Sequence, residues 1–250
     1  MPHDTFFYLV VAGAVSLMGL AKGGLIGLGM LSMPLMAMVV PPVEAAAILL
    51  PVLIVQDLTG IWAFHRTWDK RILAIMLPSG VIGIVLGYEF ASKVPEKAVT
   101  GALGLISMIF AARQLYLWLK SSASSAPKPS NPMMGMLCGT FSGFTSQIAH
   151  AGGPPFQFWV MPQGLNRETF LGTSIFYFAV LNWIKVPAYV ALGQFTTRDL
   201  LVSATMVPLA AVSTAIGVRI ARSLPENRFY IIVYGLLMAL GADLIHRALI

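Results

Sequence analysis

Long runs without a charged residue recur along the 250-residue chain, among them 5–21, 23–43, 72–88, 98–112, 129–149, 151–166 and 200–218. A helix that crosses a bilayer needs about 20 mostly apolar residues. Several runs reach that length alone, and others do once a flanking charge is admitted. Inside hydrocarbon every backbone N–H and C=O must be satisfied within its own segment, so such runs form helices. A membrane barrel would instead show short segments of alternating polarity, and none is present. The pattern predicts segments over 5–21, 23–40, 43–64, 71–92 and 97–119. A second set follows over 132–149, 152–163, 167–191, 198–220 and 226–249. The expected fold is all-α and polytopic, with eight to ten membrane segments.

Composition narrows the class further. Charged residues make up 10% of the chain and apolar ones 57%, with a mean hydropathy of +0.80. A soluble domain carries about 25% charged residues, so a water-soluble enzyme, a disordered tail and a nucleic-acid module are all disfavoured. The excess of 16 Lys+Arg over 10 Asp+Glu is scattered, as in membrane loops, rather than gathered into a basic face. One cysteine, Cys138, excludes an internal disulfide and reads as a small packing residue. The Met-Pro-His-Asp start lacks the basic region of a secretory signal and reads as the lead into the first segment.

Residues 120–131 form the one low-complexity polar stretch, rich in Ser and Pro, and read as a cytoplasmic linker between repeats at 1–119 and 132–250. The repeats share spaced identities. Gly19, Gly29 and Glu44 match Gly143, Gly153 and Glu168 at a shift of 124. Pro78, Gly87 and Pro95-Glu96 match Pro208, Gly217 and Pro225-Glu226 at a shift of 130. Each half runs through a Gly-rich break, a short loop with Glu, and three long apolar segments. With the N-terminus outside and an odd number of crossings per half, ten cations fall inside: Arg66, Lys70, Arg71, Arg113, Lys120, Lys128, Arg167, Arg219, Arg222 and Arg228. Lys93, Lys97, Arg198 and Arg247 stay outside. This positive-inside bias favours two oppositely oriented copies, an inverted repeat of a kind common in transporters.

The breaks carry the candidate chemistry. Gly23, Gly24, Gly27 and Gly29 weaken the first one, each glycine costing a helix about 1 kcal/mol relative to Ala. The two arms around Lys22 read either as full crossings or as a re-entrant hairpin. A charge at the bilayer centre costs about 2.5–3.5 kcal/mol on insertion scales, so a re-entrant Lys22 should face an anion or a carboxylate. The alternative is a cytoplasmic turn with Lys22 as a topology marker. The second break is Gly152-Gly153-Pro154-Pro155, where proline cannot continue a helix. Ser146, Gln147, His150 and Gln157 gather around it. The candidate binding set is therefore Lys22, the glycines 23, 24, 27 and 29, Gln147, His150, Gly152, Gly153 and Gln157. Coupling or gating candidates are Gln56 and Asp57 in the third segment and Thr173, Ser174, Asn182 and Lys185 in its counterpart. Asp57 and Lys185 would approach one another if those segments cross, or else snorkel to an interface. His150 alternatively only caps a broken helix. Trp62, Trp68, Trp118 and Trp183 read as interfacial aromatics, Asp243 as interfacial, and the fourteen methionines as packing residues. No second His or Cys stands at ligand spacing to suggest a metal, no cofactor is expected, and no nucleophile–base–acid set suggests an enzyme.

The Gly-rich break ending at Pro34, its Gly-Gly-Pro-Pro copy, and Gly172-Thr-Ser-Ile-Phe176 followed by Asn182 resemble the sulfite exporter (TauE/SafE) family over nearly the whole chain. The resemblance implies secondary transport of a small sulfur-containing anion, such as sulfite, sulfoacetate or a related organosulfonate, across a bacterial inner membrane. Coupling to protons through His150 or Asp57 stays open, as do an anion channel of the same fold and a non-transporting assembly protein. Small-residue spacings such as Gly23/Gly27 and Gly83/Gly87 permit close helix contacts, including those of a homodimer. The inverted arrangement has a direct test. Tags inserted after Val40 and after Gln163 should report opposite faces of the membrane, and the same face for both would overturn it.

Overall fold

The structure is a computed structural model that describes residues 5–22, 28–91, 93–120, 130–221 and 229–249. Among these, the regular elements are helices α1 Thr5–Lys22, α2 Gly29–Met36, α3 Pro42–Phe64, α4 Lys70–Ala91, α5 Glu96–Lys120, α6 Pro132–Ala149, α7 Gly153–Val160, α8 Arg167–Ala191, α9 Thr197–Ala221 and α10 Phe229–Leu249. A single 3-10 turn, Met161–Gln163, closes α7. The helices α1, α3, α4, α5, α8 and α9 are long and apolar enough to cross a membrane, and the chain is a multi-pass membrane protein. Gly23, Gly24, Gly27, most of the 120–131 linker and the Trp118 side chain lie outside the described residues.

Of the two readings of the breaks, full crossings and hairpins, the structure shows hairpins with a short second arm. Helices α2 and α7 have eight residues each, a rise of about 12 Å, against a hydrocarbon core about 30 Å thick. Both fold back on the helix before them. The Ser32 hydroxyl on α2 donates to the Ala14 carbonyl of α1 at 2.9 Å, while Gly29 lies beside Ala21 and Leu35 beside Gly13. In the second half the Ser142 hydroxyl donates to the Gly152 carbonyl at 2.7 Å and Trp159 Nε1 to the Asn131 carbonyl at 3.0 Å. The sequence sets these ends locally. Asn131 caps α6 by accepting from the Met133 N–H at 2.9 Å. Pro154 and Pro155 occupy the first turn of α7, where missing N–H groups cost nothing. Pro41 and Pro42 open α3 in the same manner.

Helix α3 is buried almost all round, from Ala45 to Leu50 and on through Val52, as expected of a central helix apolar on every face. It packs against α8 and α9. The two halves of the chain are not separate lobes. Helix α4 of the first half packs against α6 of the second, α9 of the second against α1 of the first, and α5 against α10. Repeat-matched glycines sit at matching crossings. A Cβ on Gly143 would collide with the Gly80 carbonyl of α4, and one on Gly19 would collide with the Ser213 hydroxyl of α9. Outward faces carry large apolar side chains such as Leu9, Ile82, Ile109, Phe141 and Leu201, a surface suited to lipid. Trp62 is exposed near the end of α3, as expected of an interfacial aromatic. Trp183 is also exposed but stands next to Asn182, well inside α8 rather than at its end. Trp68 instead packs against Phe176, with ring centroids 4.7 Å apart and the planes tilted by 40°.

The α4–α6 crossing separates packing from helix propensity. Gly143→Ala should lower the thermal midpoint in detergent, at a cost of about 1–3 kcal/mol for overpacking, although alanine is the better helix former. Gly235→Ala on α10, where a Cβ would meet nothing within 4 Å, should hold or raise the midpoint by the propensity gain alone, about 1 kcal/mol. Equal responses at the two sites would refute the close-contact account.

Candidate functional site

The end of α1, the start of α2 and the α6–α7 turn converge on one cavity of about 150 Å³, an order of magnitude above the ~10–15 Å³ that a single water needs. Its polar wall is Lys22, Ser146, His150, Gln157, Ser174 and Asn182, with Gly29 and Gly153 at the helix starts. Its apolar wall includes Met18, Met30, Leu53, Ile175 and Phe178. A Cβ on Gly153 would stand 3.5 Å from the Met30 sulfur, so the starts of α2 and α7 nearly touch. Along the helix axes, Asp57 lies about 6 Å from the middle of α3 and Asn182 about 5 Å from the middle of α8, at 1.5 Å per residue. The site is therefore deep within the membrane.

Two polar knots form the wall. In the first, the Lys22 ammonium at the end of α1 donates to Asp57 Oδ1, and Asn182 Nδ2 donates to Asp57 Oδ2 at 2.6 Å. The Asp57 carboxylate is fully buried, whereas the Lys22 side chain keeps 12% exposure toward the cavity. In the second, the fully buried Lys185 of α8 directs its ammonium at the Ser146 carbonyl (3.2 Å), the Ser146 hydroxyl (3.1 Å) and His150 Nδ1 (2.7 Å). His150 Nε2 lies 2.9 Å from the Ala46 carbonyl of α3. A carbonyl can only accept, so Nε2 carries the proton and Nδ1 presents its lone pair to Lys185. The three N–H groups of Lys185 then meet three acceptors.

His150 is held in the left-handed region at φ 49°, ψ 23°, and is the sole non-glycine residue with positive φ among those described. Glycine is the usual residue in that position after a helix. The imidazole there, despite the backbone cost, is held at both nitrogens, by Ala46 and by Lys185. The surrounding backbone is well satisfied. The His150 N–H reaches the Ser146 carbonyl and the Ala151 N–H the Thr145 carbonyl, both at 3.2 Å. The Thr145 hydroxyl lies 2.8 Å from the Phe141 carbonyl and 3.0 Å from that of Ala151, sharing one proton between them, and the Tyr189 hydroxyl donates to the Gln147 carbonyl at 2.9 Å. Tyr189 also stacks along the imidazole, 6.2 Å between centroids.

The structure brings Lys22, Gly29, His150, Gly153, Gln157, Ser174 and Asn182 to one cavity, with Asp57 and Lys185 directly behind it. Asp57 and Lys185 lie within electrostatic reach, yet each holds a different partner, and neither snorkels to an interface. Gln147 points away. It is buried against α4, its Cβ and Cγ close to Gly87, with both amide atoms unpartnered. Gly152 contributes a carbonyl to Ser142 and does not line the cavity. Gln56 donates to the Val15 carbonyl at 2.9 Å, bracing α3 on α1. The Thr173 hydroxyl accepts from the Asp69 N–H at 2.8 Å and holds the α3–α4 loop on α8. Backbone donors are fewer than the glycine pattern suggested, since Pro154 and Pro155 remove two N–H groups from the start of α7. Ser142, Thr145 and Tyr189 were not singled out from sequence, because a lone hydroxyl in an apolar run gives no sign of the carbonyl it will meet.

A family model described as "Sulfite exporter TauE/SafE" matches residues 11–244 of the chain. No curated protein and no solved structure matches it.

Proposed function

The chain belongs to the sulfite exporter TauE/SafE family, and from that membership and the geometry of the cavity we propose that it is a secondary transporter exporting a small sulfur-containing anion such as sulfite, sulfoacetate or a related organosulfonate. The observation that carries this reading is the meeting of the end of α1 and the α6–α7 turn at one cavity, one bringing the Lys22 ammonium and the other the His150 imidazole. A compact oxyanion needs a cation and several convergent donors. Lys22, the starts of α2 and α7, Ser146, Ser174, Asn182 and Gln157 supply them. The buried Gln157 carbonyl oxygen has no partner of its own. Its amide is thus free to reorient toward a guest.

The two halves are inverted copies, the N-terminus is outside, and the membrane is the bacterial inner membrane. Access alternates as the hairpins shift against α3 and α8. Because α1–α2 is gripped by α9, and α6–α7 by α4, the moving units are these exchanged groups rather than residues 1–119 against 132–250. An interior-negative potential drives an anion outward with about 2.3 kcal/mol per charge per 100 mV, enough for export without a coupled ion.

His150→Gly supplies the residue that the left-handed position favours, but it leaves the buried Lys185 ammonium and the Ala46 carbonyl each short of a partner, so the thermal midpoint should fall by the equivalent of about 1–3 kcal/mol. In proteoliposomes holding the folded variant, saturable efflux of sulfite or a small organosulfonate should also fall at least about tenfold, because the charge-assisted hydrogen bond that aims Lys185 toward the site, worth about 1.5–3 kcal/mol, is gone. Lys22→Ala should abolish that flux. Full flux from both variants would remove these side chains from the mechanism, and current without saturation would make the protein a channel.

A further inference from the structure

We infer that the cavity is built for a singly charged anion, and that Asp57 sets this charge selectivity. The inference rests on the reading of the cavity as an anion transport site and names the species that the site takes. Among the described residues, three ionic side chains converge at the cavity, the Lys22 and Lys185 ammonium groups and the Asp57 carboxylate. His150 adds no charge, because its Nε2–H is committed to the Ala46 carbonyl and its Nδ1 lone pair to Lys185. Lys185 has its three donors matched by three acceptors, the arrangement of an ammonium. Two cations and one carboxylate leave one positive charge uncompensated, deep in a medium where an unpaired charge is expensive. One negative charge from a solute neutralises the cluster, and a second would recreate the imbalance with the opposite sign.

Position assigns the roles. Asp57 already holds Lys22 and Asn182, the two residues that also line the cavity. A bound oxyanion therefore shares the Lys22 ammonium and the Asn182 amide with an internal carboxylate. That carboxylate repels a doubly charged guest more strongly than a singly charged one. Lys185 faces the cavity through Ser146 and His150 and supplies the remaining attraction from behind. For a sulfite exporter, the transported form is then the monoanion hydrogen sulfite and not the sulfite dianion.

Methanesulfonate and sulfate test this, because they are compact sulfur oxyanions whose charges of one and two do not change near neutral pH. In proteoliposomes held at fixed pH, wild-type protein should carry methanesulfonate at least about tenfold better than sulfate, the scale of one unit charge acting over several ångströms in protein. Methanesulfonate should also raise the thermal midpoint of the detergent-purified wild type more than sulfate does at equal ionic strength. Asp57→Asn keeps the shape and adds one positive charge, so the flux ratio should shift at least about tenfold toward sulfate. Lys185→Gln removes one and should weaken both anions, sulfate no less than methanesulfonate. Sulfate matching methanesulfonate in the wild type, or a ratio unchanged in a folded Asp57→Asn protein that still transports, would overturn the charge assignment while leaving transport intact. Absence of saturable flux of sulfite and methanesulfonate alike in the wild type would instead overturn the transport reading, and the charge assignment with it.

Discussion

A carboxylate without access to water inside a membrane is the constraint from which the arrangement of this protein follows. Asp57 is fully buried on α3, and an unpaired charge there would cost several kcal/mol. It survives because both oxygens are taken, one by Lys22 from the end of α1 and the other by Asn182 from α8. Those three residues come from three elements and both halves of the chain. Their convergence fixes where α1 ends, how α3 is rotated and which face of α8 turns inward. Lys185, about one turn further along α8, serves the second hairpin in the same manner. One face of α8 thus ties both hairpins to the centre.

The hairpins raise a second difficulty, that of unpaired backbone groups where helices stop inside hydrocarbon. At the α6–α7 turn the structure meets it with side chains. Lys185 takes the Ser146 carbonyl, Thr145 that of Ala151, Ser142 that of Gly152 and Tyr189 that of Gln147. Four donors from two helices thereby hold the turn in one shape. The imidazole of His150 projects from a backbone conformation that glycine would adopt more cheaply, and it is held at both nitrogens. A turn so thoroughly bonded keeps one shape for as long as those bonds hold. The neighbouring α2 start has no side-chain cap, and Lys22 beside it keeps some exposure.

Much of this was legible in the sequence. Charge-free runs gave the long helices to within three residues, because hydrocarbon admits few other structures and charged residues mark their ends. Pro-Pro after Gly-Gly announced the second break, and Lys22 in the midst of glycines announced the first. The partners were less legible. Asp57 and Lys185 carry opposite charges on facing helices, which suggests a direct pair, yet rotation of α8 gives Asn182 to Asp57 and turns Lys185 to His150. Gln147 belongs to the polar group at the break by position, but α6 presents it to Gly87 on α4, away from the cavity. Sequence spacing tells which residues share a depth. It does not fix the azimuth of a helix whose polar residues are few, and azimuth decides which neighbour each one meets.

The same spacing pointed to two repeats, and their interlocking limits how such a cavity can open. Were residues 1–119 and 132–250 to rock as two bodies, the α4–α6 and α1–α9 crossings would have to slide. At both, a glycine lets the opposing chain approach so closely that even a Cβ would collide, with the Gly80 carbonyl in one case and the Ser213 hydroxyl in the other. Surfaces matched that closely favour discrete positions over continuous sliding, since interdigitated packing loses its contacts once displaced. The contacts between hairpin turns and the central helices are of another kind. They are polar, made at side-chain ends, and directed at a cavity that a guest can share. Those bonds can be exchanged for bonds to a solute at little cost in packing. On the transport role proposed for the cavity, the easiest path for opening runs through the site itself, with occupancy by an anion and release of the hairpins from α3 and α8 as one event.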